Sequence, residues 1–355
     1  MKKTKKNWKK PKRHLKLLYI ILLAVSVLAA SFGVYDIISP IKTESGALDV
    51  NQISQGENLT HSLDLRLAAK ASYASSPLSV IQDVATSSSG KSQIVSFGVP
   101  TDGLTEYGLL MLPNTPKPTN GYPVIILCHG YINPDEYLTA EGYLSDMAFY
   151  ASHGFAVVKP DFRGQGLSSG QGLPEGAYYS MAYNTDVMSL ISALKQTSYI
   201  DKTKINIWGH SMGAYIALRA SVISKDIKNT ILLSGPVGSF EQTYLSYVPP
   251  SDENNPEALR VRNQVFAKYG TPADDQSFWK NASPTNFLNN THSRIQIHVG
   301  ALDSVVPPQL SADLNDDLNN LHINHEYYLY QDGRHGLMLQ RSLIWARSLS
   351  AFQKE

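Results

Sequence analysis

A serine between two glycines is the clearest chemical signal in this sequence. Ser211 lies in the segment Gly-His-Ser-Met-Gly, flanked by Gly209 and Gly213. The apolar run Ile205–Trp208 predicts a buried strand before it, and the apolar residues after it predict a helix. A tight strand–turn–helix exposes the serine hydroxyl, and the glycines let strand and helix cross closely. The pattern therefore predicts Ser211 as the nucleophile of an acyl-transfer reaction.

A serine hydroxyl needs a base, and the base needs a group that orients it. His335 follows the last predicted strand, on a loop, at the edge of the sheet where the serine is expected. Asp303 comes just past the predicted strand Arg294–Val299. Asp332 is only three residues from His335, which is too close along the chain to reach the ring easily. The order serine, aspartate, histidine is the order found in one large class of α/β enzymes, so we predict a triad of Ser211, Asp303 and His335.

The developing negative charge on the substrate oxygen needs hydrogen-bond donors. The backbone N–H of Met212, at the start of the helix, points toward that position. The loop after the predicted strand Val124–Leu127 should supply the second donor, which we assign to the backbone N–H of Tyr131. His129 in the same loop would break the triad order as a base, and we expect it to be structural.

Other motifs carry weaker signals. The glycine-rich segment 161–170 follows a strand but lacks the Lys-Ser/Thr pair of a phosphate-binding loop. Its Asp161 and Arg163 are expected to brace the loops around the site. No Cys/His cluster has the spacing of metal ligands, and His322 and His325 straddle a predicted helix end and strand start, so we predict no metal site. We also expect no cofactor.

Strand and helix patterns alternate through most of the chain. This alternation predicts an α/β fold with a mostly parallel central sheet, helices on both faces, and two or three antiparallel strands at the start. The predicted helices span 141–152, 174–196, 213–224, 308–320 and 336–353, and the predicted strands of the parallel part span 124–128, 154–161, 205–208, 229–235, 294–300 and 324–331.

One segment, about 236–290, interrupts the alternation and is rich in aromatic residues. Because it follows a strand of the parallel sheet, it is placed to form a lid or a pocket wall. The alternative is that its aromatic residues form a small core of their own. The sequence does not decide between the two.

These motifs together resemble the α/β-hydrolases, and within them the catalytic domain of the prolyl oligopeptidase family and its dienelactone-hydrolase-like relatives. The residues that carry the resemblance lie at 129–131, 161–170, 209–213, 283–288, 300–308 and 332–336. The resemblance implies an α/β-hydrolase fold over about 78–355, with Ser211 as nucleophile, His335 as base and Asp303 as its orienting partner. We expect no β-propeller of the kind that family peptidases usually carry.

The N-terminal region predicts a membrane anchor. Residues 1–16 are a basic tail, and the 19 residues from Leu17 to Tyr35 carry no charge. We predict a transmembrane helix over 17–38, a stalk over 39–76 and a catalytic domain over 77–355, with the tail cytoplasmic and the domain outside. A cleaved signal peptide, which would give a secreted enzyme, is the alternative.

The charge distribution and the cysteine content exclude some kinds of partner and covalent link. Residues 1–16 hold nine Lys and Arg and no acid, which leaves 22 basic and 30 acidic residues in the remainder. An acidic body argues against nucleic acid as a partner. The one cysteine, Cys128, follows an apolar run, so it forms no intrachain disulfide and is expected to be buried.

Three functions remain open on the sequence. The first is a membrane-anchored serine peptidase of the prolyl oligopeptidase type, acting on small peptides. The second is a carboxylesterase acting on acyl or acetyl esters. The third is a catalytically inactive α/β-hydrolase that serves as a surface binding module.

Overall fold

The computed structural model describes residues 59–170, 180–247, 263, 266–267 and 269–354. The predicted basic tail, anchor and first part of the stalk lie outside the described residues, as does part of the insertion 236–290. Of the helices described in these ranges, none is long and apolar enough to cross a membrane.

A nine-stranded sheet runs through the described body in the order β1-β2-β3-β5-β4-β6-β7-β8-β9. β1 to β3 are antiparallel, and β3 pairs antiparallel with β5. From β5 to β9 all neighbours are parallel. The strands are β1 Ser79–Thr86, β2 Lys91–Val99, β3 Leu104–Leu112, β4 Tyr122–Cys128, β5 Ala156–Pro160, β6 Ile200–His210, β7 Ile227–Leu233, β8 Arg294–Gly300 and β9 His325–Tyr330.

Helices cover both faces of this sheet, as the alternation of patterns predicts. The α-helices are α1 Leu65–Ala68, α2 Leu144–Ser152, α3 Ala182–Gln196, α4 Met212–Ile223, α5 Phe240–Tyr247, α6 Gln276–Asn281, α7 Pro308–Asn320 and α8 Arg341–Gln353, with short 3-10 helices at Leu59–His61 and Pro284–Asn290. One apolar core joins the sheet to α3 and α4, and a second joins its other face to α2 and α8. The predicted fold class, an α/β-hydrolase-like fold with a mostly parallel sheet, is confirmed.

Three helices begin later than their apolar patterns predict. The helix predicted from residue 141 begins at Leu144, because Gly142 and Tyr143 both have left-handed backbone angles, with φ of 67° and 56°. The helix predicted from residue 336 begins at Arg341, because Leu337 has a φ of 47° and closes a turn. The helix predicted over 174–196 begins at Ala182 within the described residues. In the first two cases, the apolar residues before the helix belong to turns at the carboxyl ends of the parallel strands.

Part of the predicted stalk packs on the body. The buried side chains of Leu63, Leu65 and Ala68 belong to the same core as β4 and β6. Thr185 of α3 donates its hydroxyl hydrogen to the carbonyl oxygen of Thr60 at 2.7 Å. The segment from residue 59 onward is therefore part of the folded body, which differs from the predicted boundary at residue 77.

Aromatic residues of the insertion pack on one another and on the main core. The rings of Phe240 and Trp279 stack with centroids 5.1 Å apart, and both side chains are buried. Tyr269 and Phe278 stack at 4.1 Å beside them. For these residues the structure supports the packing alternative, while a lid function for the whole insertion stays a prediction.

Candidate active site

Three loops converge at the carboxyl edge of the parallel strands. Ser211 directly follows β6, Asp303 follows β8, and His335 follows β9. Because parallel strands end at the same edge, side chains from distant parts of the sequence meet there. The structure brings together all three residues that the sequence predicts.

Ser211 occupies a strained turn between β6 and α4. Its φ of 54° and ψ of −121° lie in a region that non-glycine residues rarely adopt. Its N–H donates to the carbonyl of Leu233 on β7 at 2.8 Å, which holds the turn against the sheet. The hydroxyl is thereby pushed out at the end of the strand.

The flanking glycines are required by close backbone approach. A Cβ on Gly209 would overlap the backbone of Gly213, and a Cβ on Gly213 would overlap the carbonyl of Cys128. Backbone atoms of a buried strand have no room to retreat. Both positions therefore need glycine for a steric reason that holds whatever the serine does.

We expect Gly213→Ala to lower the free energy of unfolding by about 3 kcal/mol or more, since its methyl group would collide with buried backbone. Gly98→Ala is the matched control, because a Cβ at Gly98 would meet no atom closer than 3.8 Å. Urea titration followed by circular dichroism measures both. A Gly213→Ala protein as stable as the wild type would contradict the close packing of the turn.

The three side chains form one hydrogen-bonded chain. His335 Nε2 lies 2.9 Å from Ser211 Oγ, and His335 Nδ1 lies 2.9 Å from Asp303 Oδ2. An ionised carboxylate only accepts hydrogen bonds, so Nδ1 carries the ring proton. Nε2 is then left with a lone pair that accepts the serine proton.

Asp303 is held in its charged form. Its side chain is fully buried, and burial alone would raise the pKa of the carboxyl. The hydrogen bond from His335, together with bonds from the N–H groups of Val306 and Val305, outweighs burial and lowers the pKa below its usual value. Asp303 is therefore ionised at neutral pH, as an orienting partner must be.

The loops that carry the acid and the base are joined by backbone contacts. The N–H of Leu302 donates to the carbonyl of Gly333 at 2.9 Å. A Cβ on Gly300 would overlap that same carbonyl, so the two loops touch backbone to backbone. This fixes the spacing between Asp303 and His335 independently of their own hydrogen bond.

The two predicted oxyanion donors both lie on the edge that carries Ser211. Met212 is the first residue of α4, and Tyr131 follows β4 by three residues. Neither N–H donates to an acceptor within the part of the chain that the structure describes. A Cβ on Gly130, next to Tyr131, would lie 3.3 Å from the Cβ of Ser211, so this loop passes directly beside the nucleophile. Their role as donors to a substrate stays a prediction.

The remaining predicted residues occupy supporting positions. His129 is buried, and its Nδ1 lies 2.7 Å from the carbonyl oxygen of Gly130, so it is structural as predicted. Asp332 accepts a hydrogen bond from Gln340 instead of from His335. Among the described residues, no group of three or more potential ligands could hold a metal ion.

Asp161 and Arg163 brace neighbouring loops, as the sequence predicts. Asp161 accepts a hydrogen bond from the Tyr137 hydroxyl at 2.8 Å. Arg163 forms ion pairs with Asp186 at 2.5 Å and with Asp102 at 2.8 Å. All of these side chains are largely withdrawn from solvent, so the loop after β5 is anchored by paired charges.

Two residues at this edge have contacts that sequence patterns did not predict. Tyr143 and His210 connect the loop after β4 with the loop that carries His335. His210 is next to the nucleophile in the sequence, which is a weak indication of a role in the site. Nothing in the sequence indicates a role for Tyr143, because its contact with His210 spans 67 positions along the chain.

Comparison with known proteins agrees with this geometry. Residues 142–355, well over half of the chain, match the family described as "Prolyl oligopeptidase family". This chain belongs to the prolyl oligopeptidase family. The match contains Ser211, Asp303 and His335, while the loop with Tyr131 precedes it.

The curated relatives of this chain are distant, and the dipeptidyl-aminopeptidases among them are much longer than it is. Dipeptidyl-aminopeptidase B of Aspergillus niger is 26% identical over 248 residues, which are 67% of this chain and 25% of that protein. Protein ABHD12B of Homo sapiens is 26% identical over 211 residues, 58% of this chain and 53% of that protein. The chain thus spans about a quarter of the length of the dipeptidyl-aminopeptidases it matches.

Solved structures share the fold at low identity. An acetyl xylan esterase from Paenibacillus sp. R4 superposes with a TM-score of 0.59 at 20% identity, covering 86% of this chain and 99% of that chain. A putative dipeptidyl aminopeptidase IV from Bacteroides ovatus also gives 0.59, at 15% identity, covering 74% of this chain and 36% of that chain. The prolyl oligopeptidase family member described here therefore shares its fold with proteins named as esterases and as peptidases.

Proposed function

We propose that this protein is a serine hydrolase that works through an acyl-enzyme on Ser211, and that it cleaves small peptides. The observation that carries the hydrolase proposal is the continuous hydrogen-bonded chain from Ser211 through His335 to Asp303. Membership of the prolyl oligopeptidase family supports a peptide substrate. An inactive binding module is disfavoured, because it has no need of a strained serine aligned with a base.

The proposed reaction begins with attack on a substrate carbonyl. Ser211 Oγ forms the new bond while His335 Nε2 takes its proton, and Asp303 stabilises the resulting imidazolium. The N–H groups of Met212 and Tyr131 hold the oxyanion, and each stabilises the transition state by about 3–4 kcal/mol. His335 then protonates the leaving amine or alcohol, and a water molecule, activated by the same histidine, releases the acid and frees Ser211.

A carboxylesterase is the second candidate, and one observation favours it. The acetyl xylan esterase from Paenibacillus sp. R4 is matched over 99% of its own chain, so the fold shared with this protein accounts for nearly all of that chain. The peptidase-named structures are matched over much smaller shares, such as 36%. Esters of short acids, acetyl esters among them, are the substrates to compare with peptides.

We also propose that the protein is anchored in the membrane by residues 17–38, with the body outside the cell. The support is the uncharged run of 19 residues after a tail with nine basic residues. N-terminal sequencing of the mature protein tests this proposal. An intact N-terminus supports the anchor, and a start near residue 30 or 31 would show cleavage and contradict it.

Paired substrates separate the two enzymatic candidates. The full chain is used, because residues 59–76 pack on the body. Turnover of a p-nitrophenyl acetate ester is compared with turnover of aminoacyl and prolyl p-nitroanilides, and Ser211→Ala is the control for each. Cleavage of an anilide that depends on Ser211 supports the peptidase. Cleavage of the ester alone contradicts it and favours the esterase.

A further inference from the structure

A chain of hydrogen bonds connects the loop after β4 to the carbonyl of the candidate base. The N–H of Gly130 donates to the hydroxyl oxygen of Tyr143 at 2.9 Å. That hydroxyl lies 2.8 Å from His210 Nδ1, and His210 Nε2 lies 3.1 Å from the backbone oxygen of His335. Two loops that must both face the reacting carbonyl are thus joined by two side chains.

Only one arrangement of protons satisfies this chain. The carbonyl oxygen of His335 only accepts, so His210 Nε2 carries a hydrogen. Nδ1 of the neutral ring is then an acceptor, and the Tyr143 hydroxyl donates to it while accepting from Gly130. Burial lowers the pKa of His210 to about 4, which keeps the ring neutral at physiological pH. The direction of every bond in the chain is therefore fixed.

A second bond fixes the peptide that carries the predicted oxyanion donor. His129 Nδ1 lies 2.7 Å from the carbonyl oxygen of Gly130 and must donate to it. This carbonyl and the N–H of Tyr131 belong to the same planar peptide group and point in opposite directions. Holding the oxygen therefore sets where the N–H of Tyr131 points. Burial lowers the pKa of His129 to about 3, so this ring also stays neutral.

Backbone strain accompanies this arrangement. Tyr143 adopts a left-handed φ of 56°, which is unfavourable for a bulky residue. Among the non-glycine residues with positive φ in the described ranges, Tyr143, Ser211, Ser234 and Leu337 all lie on loops at this edge. Such strain persists only where surrounding contacts impose it. The hydrogen bonds of Tyr143 with Gly130 and His210 are contacts of this kind.

We propose that Tyr143 and His210 are positioning residues, which together hold Gly130, the residue before the predicted oxyanion donor Tyr131, and the His335 loop at a fixed separation across Ser211. The inference rests on the proposed hydrolase function. Neither side chain needs to touch the substrate. Their effect is to keep the oxyanion donor and the base in register while negative charge develops, so their loss should lower kcat with little change in KM.

The test uses Tyr143→Phe, His210→Ala and the double variant in the full chain. Loss of an oxyanion donor lowers kcat by about 10²- to 10³-fold, and partial misplacement should lower it by about 10- to 100-fold. Because the two residues act in one chain, the double variant should be no more than about threefold worse than the worse single variant. KM for p-nitrophenyl acetate should stay within about threefold.

A matched control removes an equivalent tyrosine hydroxyl at the opposite edge of the sheet. Tyr122 donates its hydroxyl hydrogen to the carbonyl of Thr115 at 2.8 Å, at the start of β4. Tyr122→Phe should leave kcat and KM within about twofold of the wild type. Equal losses of kcat in Tyr122→Phe and Tyr143→Phe would overturn the proposal, as would independent, multiplicative losses in the double variant.

A measurement without turnover separates this inference from the proposed function. In protein labelled with ¹⁵N-histidine, the signals that disappear in His210→Ala identify the ring of His210. We expect a neutral ring protonated at Nε2 from pH 5 to pH 8. A ring protonated at Nδ1, or one that titrates in this range, would overturn the hydrogen-bond chain. Absence of Ser211-dependent turnover in the wild type would contradict the proposed function, and the NMR result would still decide the hydrogen-bond chain.

Discussion

Replacement of Ser211 by alanine is expected to lower kcat by about 10⁴- to 10⁶-fold on p-nitrophenyl acetate, because the atom that forms the acyl-enzyme is removed. Among the residues that the structure describes, Ser211 Oγ is the only side-chain atom within hydrogen-bond distance of His335 Nε2. The residual rate should be that of a binding site and oxyanion hole without a nucleophile. Steady-state kinetics of the purified full chain measure the effect.

A buried serine in the next helix supplies the control for this substitution. Ser221 lies on α4, is fully buried, and donates to the carbonyl of Leu218 at 2.8 Å. Ser221→Ala should keep kcat within about threefold, since its hydroxyl faces the helix and not the site. A folded Ser211→Ala protein with the turnover of Ser221→Ala would show that the nucleophile is a different group.

Asp303→Asn is expected to lower kcat by about 10⁴-fold, because it changes which ring nitrogen of His335 carries the proton. In the wild type, Asp303 Oδ1 accepts the N–H groups of Val305 and Val306, both at 2.9 Å. An asparagine must keep its carbonyl oxygen on those two donors, so its NH₂ group faces His335. The NH₂ group then donates to Nδ1, the ring proton moves to Nε2, and the base can no longer accept the proton of Ser211.

The neighbouring Asp332 provides a close control for this charge change. It lies three residues from His335, and its carboxylate accepts a hydrogen bond from Gln340 at 3.0 Å. Asp332→Asn removes the same charge from the same loop region without reaching the ring, so kcat should stay within about threefold. Equal losses in the two asparagine variants would indicate a general electrostatic effect and would contradict the tautomer argument.

The fold and the triad could be predicted from the sequence because both follow from local rules. The alternation of apolar runs with helical spacing predicts a parallel sheet, and parallel strands end at one edge. Ser211, Asp303 and His335 lie in the loops that follow β6, β8 and β9, so their meeting requires only that these strands lie close together in the sheet. β6, β7, β8 and β9 are consecutive in the sheet, and this condition is fulfilled.

The helix starts could not be predicted, because they depend on contacts distant in sequence. The apolar residues Leu337, Met338 and Leu339 continue the pattern of α8, yet they precede the helix, and Leu337 closes the turn that contains the base. The position of that turn is set by Gly300 and Gly333, where the loops after β8 and β9 touch. A hydrophobic pattern contains no information about such an approach.

The hydrogen bond between Tyr143 and His210 could not be predicted from sequence patterns either. A tyrosine before a helix is ordinary, and only its left-handed backbone and the closeness of Gly130 give it a role. The same applies to Leu63 and Leu65, which a composition rich in small polar residues places in a stalk. Their burial against the core becomes visible only once α3 and α4 are in place.

Covalent labelling of the wild-type protein tests the central claim most directly. A fluorophosphonate reacts with a serine only when a base and an oxyanion hole activate it. We expect one adduct per chain by intact-protein mass spectrometry, located by peptide mapping on the segment that contains Ser211 and absent from Ser211→Ala. A folded wild-type protein that remains unlabelled, or that is labelled at a different serine, would contradict the account of this site.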